Sequence, residues 1–534
     1  MEETINKAPN NQKRSSLTLG TIISYVAILV EIVAGLVYVP WMVNQLGESN
    51  YSIYSLAASI TAIFTIDFGL SASASKFISK YRSQGDEESA NKYSTMIYKM
   101  YLFLDGVIMV AFVVFLFIMG LIYKSFTPEQ LKQLEIVFAI IGVYTILIFP
   151  MQPNGCVYIG NDRYVFSKII NLVTKLITIG LIVFGLLRGM SLYGFVMINC
   201  GVTIVSRILS TIYLRTSKSL YGNKFLWKFW DKQIFKDILS YCIWQGTCII
   251  MEKLIVYSVP SILGMFSGKD YATAQIAAYQ LGLTIDTYVM TFATALNGMF
   301  ITRLTSMKTN HKSPEEFTDY WIKVGRIQLI FVAVVVIGFF AIGKDFVNVW
   351  LRNNESIKDP NLVFYVSILL VAPEIITCTQ QIGNTLLIVE DKYKYRALIY
   401  TITCVLSIAL TCILVVVIEN KAIGCVLAAL ATCIARTIGL GLGSVIIFKK
   451  QLKLNVKKFY IKTYLVNILQ FLVVFALGFG INLLLPSHNS YLYILIKAII
   501  IGVIYLIVVW LFVLNKFEKE YLFASIKKLF HKRG

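Results

Sequence analysis

Charge is scarce in this 534-residue sequence: only 15% is Asp, Glu, Lys or Arg, where a soluble protein carries about a quarter. A solvated globular surface therefore has too little to be built from. Histidine is scarcer still, and His311, His488 and His531 all fall in loops or the tail. That leaves no histidine for a metal site or a proton relay inside an apolar segment. No cysteine pair has C-x-x-C spacing, and all nine cysteines lie in apolar stretches, where they read as small buried hydrophobes rather than disulfides. No Walker motif is present, which excludes ATP hydrolysis by this chain. Asp67-Phe68-Gly69 matches a kinase tripeptide, but with no glycine-rich phosphate loop or HRD motif it carries nothing. Residues 1–16 are polar, and the first apolar run is too long for a leader core and lacks a small-residue cleavage site, so it reads as a retained span.

What is present is apolar: 57% of the residues are hydrophobic and mean hydropathy is +0.71. Runs of 20 or more apolar residues recur throughout, each able to cross a hydrocarbon core of about 30 Å. The pattern predicts an all-α polytopic membrane protein of fourteen spans: 18–46, 53–82, 93–123, 134–158, 166–187, 192–214, 237–266, 273–303, 319–343, 361–389, 397–418, 422–447, 460–485 and 492–515. Loops on the side of the N-terminus hold 33 Lys and Arg, those on the other side 8. The positive-inside rule then places both termini in the cytoplasm. The net charge of +20 follows from topology and contact with anionic lipids, and nucleic acid is not expected as a partner.

The chain also repeats itself. "LVYVPWMVNQLGESNYSIYSL" around Pro40 and "IVYSVPSILGMFSGKDYATAQI" around Pro260 are 220 residues apart, as are Tyr51 and Tyr271. Glu31/Glu252 and Asp67/Asp286 follow within one residue of that offset. Six spans separate the equivalent helices, so the repeats are parallel, a transporter architecture. The expected layout is a cytoplasmic segment 1–17, an N-lobe 18–214, a cytoplasmic linker 215–236, a C-lobe 237–447, two further spans within 448–515 and a basic tail 516–534.

A charge at the bilayer centre costs roughly 2.5–3.5 kcal/mol on insertion scales, so each intramembrane acid needs a partner or a wet cavity. Helical spacing gives Asp67 a stripe with Ser71, Ala74 and Ser75, and puts Asn171, Thr174, Lys175 and Thr178 on one face. Gln245, Cys248 and Glu252 share another, as do Glu374, Thr377, Gln381 and Asn384. Such stripes are expected to line a hydrated cleft between the lobes. Glu31, Asp67, Glu252, Asp286 and Glu374 are the candidates for coupling-ion or proton sites, or for intramembrane salt bridges; hydrogen bonding between helices is the plainer role. Lys175, Lys253, Arg207 and Arg436 are the candidates for a cationic cavity, while Lys99 and Lys497 lie within snorkelling range of an interface. Pro40 and Pro260, at equivalent places, are candidate hinges. The linker, "RTSKSLYGNKFLWKFWDKQIFK", reads as an interfacial amphipathic helix.

The helix end at Pro40, "LGESNYSIYSL", "DFGL" and "KYRSQGDEESANKY" occur in an order that resembles the Wzx-type polysaccharide flippases of the multidrug/oligosaccharidyl-lipid/polysaccharide exporter superfamily. The "GNDRY" turn and "KDFVNVWL" extend the likeness along the chain. Lys76 departs from it, standing where that family often has arginine. The resemblance implies a V-shaped alternating-access transporter, not an enzyme, in a bacterial cytoplasmic membrane. It implies flipping of undecaprenyl-diphosphate-linked oligosaccharide units, coupled to H+ or Na+ and without a bound cofactor. A polysaccharide polymerase or assembly machinery would be a partner. A drug/cation antiporter of the same superfamily and a lipid II flippase remain alternatives.

Overall fold

The computed structural model describes residues 28, 30, 32–161, 163–217, 220–294, 297–352, 357, 359–418, 420–485, 490–514 and 519. The secondary structure within them is helical. In chain order the helices are α1 (Ile32–Leu46), α2 (Glu48–Phe64), α3 (Leu70–Ser83), α4 (Glu87–Ile122), α5 (Pro128–Ile148), α6 (Pro153–Gly160), α7 (Tyr164–Leu187) and α8 (Leu192–Thr216). They continue as α9 (Lys232–Phe266), α10 (Ala272–Thr294), α11 (Asn297–Thr309), α12 (Pro314–Trp350), α13 (Pro360–Val371), α14 (Glu374–Thr379) and α15 (Gln381–Val389). The last are α16 (Tyr393–Val417), α17 (Gly424–Ala435), α18 (Ser444–Leu452), α19 (Val456–Tyr460), α20 (Val466–Leu484) and α21 (Tyr491–Val508). A π-helical stretch, Arg436–Gly443, joins α17 to α18.

Among the described residues, ten helices are long and apolar enough to cross a membrane. The protein is a multi-pass membrane protein. Two further expected spans appear as the shorter apolar helices Ile32–Leu46 and Phe471–Leu484. The expected span 53–82 is not one helix: it breaks at 65–69 into α2 and α3. Span 361–389 is likewise cut into α13, α14 and α15, with Pro373 between the first two; proline lacks the N–H that would have continued the ladder. Pro40 and Pro260, by contrast, sit inside helices that run on to Leu46 and Phe266. Those helix ends are themselves 220 residues apart, the offset of the sequence repeat.

Two compact units form: residues up to Gln280 with Tyr400–Ala428, and Leu281–Ile399 with Ala429 onward. The expected lobes follow the repeat, whereas the units keep α9 and the start of α10 with the N-terminal helices. In the first unit α2 packs on α5 and α9, and α3 packs on α4 and α6. Phe112 stacks on Phe138 at 4.7 Å between ring centroids, beside Gly142. In the second unit α12 is the central post, touching α13, α14, α20 and α21. Its Trp321 is fully buried, stacked 3.7 Å from Phe459, with its indole N–H donating to the Thr379 carbonyl.

Two expectations change here. The linker is not a helix: its described residues from Leu220 to Trp230 form turns and extended chain. One face of α4 holds this strap through Asn91, Ser94, Thr95 and Lys99. Asn91 accepts from the Lys224 amide, Thr95 accepts from the Leu226 amide, and Ser94 donates to the Gly222 carbonyl. The i, i+3, i+4, i+8 spacing puts all four on one side of the helix. Lys497 does not snorkel either. It is 1% exposed and donates to Asp345 of α12 (2.8 Å) and Asn482 of α20 (2.7 Å), tying α21 to both.

Candidate functional site

In the first unit the chemistry centres on the interrupted helix. Phe68 and Gly69 have φ of 51° and 82°, a left-handed pair that stops α2 and redirects the chain; at a non-glycine residue it costs on the order of 1–3 kcal/mol. Asp67 supplies the compensation. Its carboxylate accepts from the Gly69 amide (3.2 Å), the Ser71 amide (3.0 Å) and the Tyr101 hydroxyl (2.9 Å), which also bonds Ser71. A negative charge at the start of α3 meets the positive end of that helix's dipole. At the other side of the gap, Lys253 of α9 donates to the Ala62 carbonyl at 3.4 Å, placing positive charge at the C-terminal turn of α2. Each broken end thus has a counter-charge. A Cβ on Gly246 would lie 2.5 Å from the Phe68 carbonyl oxygen, so α9 presses backbone to backbone on the break.

In the second unit three charged side chains from three elements meet. One guanidinium nitrogen of Arg436, Nη1, lies 3.2 Å from Asp286 Oδ2 of α10 and 3.0 Å from Glu374 Oε1 of α14. Asp286 and Glu374 are each 2% exposed and Arg436 8%. Thr377 donates to the second Glu374 oxygen at 2.5 Å, and the Cys378 thiol lies 3.6 Å from it. Asp286 Oδ1 is buried with no hydrogen-bond partner among the described residues. The local backbone sets this up. Arg436 opens the π-helical stretch, a geometry frequent at functional sites. There the freed carbonyl of Gly441 accepts from Gln380 Nε2 at 3.1 Å. With both acids ionised the cluster carries two negative charges against one positive. An uncompensated buried charge is expensive.

The other expected residues are distributed as follows. Lys175 and Arg207 are half-buried on α7 and α8 of the first unit, and Arg207 lies toward Tyr144 and Cys156. Glu252 is exposed on α9, and Glu31 lies outside the described residues. On the α7 stripe, Thr174 bonds Ser206 of α8 (2.6 Å) and Thr178 bonds the Thr174 carbonyl, so those hydroxyls are used locally. Arg436 was expected in a cationic cavity, and Asp286 and Glu374 at coupling sites or in intramembrane salt bridges; in the structure Arg436 is their shared partner. Asp105 of α4 was not anticipated; it is half-buried, and its Oδ1 has no hydrogen-bond partner among the described residues. The signal was available, as an acid within the apolar run 101–122.

The family model for polysaccharide biosynthesis proteins matches residues 17–301, more than half of the chain. No curated protein matches the sequence. Among solved structures, the fold is similar to that of the lipid II flippase MurJ in an inward-closed conformation. That match has a TM-score of 0.65 and 15% identity, covering 92% of this chain and 97% of that one. It is also similar to an inward-facing multidrug resistance MATE family transporter of the MOP superfamily, with TM-score 0.63, 13% identity and coverage of 82% and 99%. A MOP superfamily transporter from Pyrococcus furiosus gives TM-score 0.61 at 13% identity, with coverage of 82% and 95%.

Proposed function

The chain belongs to the polysaccharide biosynthesis protein family, and from that premise we propose that it is a flippase. Its substrate is an undecaprenyl-diphosphate-linked oligosaccharide, moved from the cytoplasmic to the outer leaflet of a bacterial cytoplasmic membrane by alternating access. The observation that carries the coupling is the cluster of Asp286, Glu374 and Arg436, two buried acids on one guanidinium nitrogen. One net negative charge gives H+ or Na+ a reason to bind, and its arrival or departure changes whether the site tolerates burial. Lys175 and Arg207 are assigned to the substrate diphosphate, which needs cations in a hydrated space. Lys253 is assigned instead to the end of α2, and Arg436 to coupling.

The test is deletion of the gene followed by analysis of lipid-linked intermediates with their leaflet determined. Oligosaccharide-diphosphate lipid held in the cytoplasmic leaflet, restored by the wild type but not by Asp286→Asn or Glu374→Gln, is the expected result. A second reading, a lipid II flippase, is supported by the match that extends over 92% of the chain; accumulation of lipid II in its place would select it. Normal intermediates together with loss of a cation-driven drug efflux would point to an antiporter.

A further inference from the structure

A crevice of about 490 Å³ opens between α4 and α9 in the first unit. Its walls are apolar: Phe103 and Leu104 on one helix, Leu239 and Ile243 on the other, with Phe68 of the break also lining it. From Phe235 to Ile243 the α9 wall extends about 12 Å at 1.5 Å per residue. Among the described residues lining it, Lys99 is the one that carries charge. Trp230 stands at the mouth, 61% exposed, on the strap that also carries Trp227, 76% exposed. Indoles in such places favour a membrane interface.

The mouth is electrostatically one-sided. Lys99 Nζ donates to the carbonyls of Trp227 (2.8 Å) and Phe229 (2.7 Å), which uses two of the three protons of an ammonium. The nearby acids are occupied: Asp231 caps α9 through the amides of Gln233 and Ile234, and Asp237 accepts from Tyr93 and Gln233. Lys224 is paired with Glu87 at 3.0 Å, while Lys228 is exposed on the strap and Lys232 is exposed at the start of α9. An apolar slot with basic residues and indoles at its interfacial end complements an anionic amphiphile.

We propose that this crevice seats an acyl chain of an anionic membrane phospholipid, with its phosphate held by Lys99, Lys228 and Lys232. Its occupant rests against the left-handed backbone of the break, which gives bilayer composition a route to α2 and α3. The inference is independent of what the protein transports.

The test is native mass spectrometry of the purified full-length protein exchanged into phosphatidylglycerol or phosphatidylcholine. Retention of phosphatidylglycerol about tenfold above phosphatidylcholine is expected, because basic residues beside the mouth attract an anionic headgroup. Lys228→Gln with Lys232→Gln, at the exposed surface, should lower the preference while leaving chain binding. Leu239→Trp with Ile243→Trp should lower retention of both lipids. Equal retention of the two headgroups by the wild type would overturn the proposal, as would unchanged retention in the filled crevice. Displacement of phosphatidylglycerol by undecaprenyl phosphate would also overturn it, by giving the crevice to another lipid.

Discussion

Arg436 neutralises charge on two carboxylates that have almost no access to water. Arg436→Ala strands both, and removing one partner of a buried ion pair costs about 3–5 kcal/mol. Thermal unfolding in detergent is expected to show that loss, and Asp286→Asn combined with Glu374→Gln in the same background should recover most of it. Arg436→Lys should recover only part, because an ammonium lacks the planar fork of the guanidinium. Asp67 is a different kind of acid, one that caps a helix. Asp67→Ala is expected to cost about 0.5–2 kcal/mol, the usual range for a lost cap, and Tyr101→Phe to cost less. A double-mutant cycle between the two should give non-additive losses, since they share a hydrogen bond.

At the scale of the element, α2 and α3 come from a stretch whose hydropathy reads as one span. The interruption needs Gly69 in a left-handed conformation and Gly246 where a side chain cannot fit. Gly246→Ala puts a methyl 2.5 Å from the Phe68 carbonyl oxygen. Backbone cannot rotate away as a side chain can, so about 1–3 kcal/mol of destabilisation is expected. It should appear as a lower unfolding temperature and faster amide exchange over 65–71. The start of α4 gives a pH-dependent case. Asp86 accepts from Ser89, and that hydrogen bond holds its carboxyl below the ordinary aspartate value. A depressed folded-state value means the cap is intact above about pH 4 and is lost as pH falls through the folded value. Protection of amides 87–90 relative to their intrinsic exchange rates should therefore fall in acid, and Asp86→Asn should remove that fall.

For the whole molecule, the asymmetry of Lys and Arg between alternate loops makes a claim about sidedness. A cysteine replacing Lys228 on the strap is expected to react with an impermeant maleimide only from the cytoplasmic face. One replacing Asp270, in the exposed turn after α9, should react only from the other. The native cysteines are buried or half-buried among the described residues, which keeps the background low. Labelling of both positions from one face would refute the fourteen-span topology.

Hydropathy is a sum over neighbours in the chain. For that reason the membrane-spanning, all-helical class was legible from composition and run length, and so was the 220-residue offset that the ends of α1 and α9 reproduce. Partnership between helices is not such a sum. Asp286, Glu374 and Arg436 are far apart in sequence, and each alone reads equally well as a cation site, a substrate contact or a structural bond. Only packing put one guanidinium nitrogen between two acids. The break at Asp67 was hidden for the same reason: its small, apolar flanks are compatible with a continuous span, and α9, pressing Gly246 against Phe68, is what interrupts it.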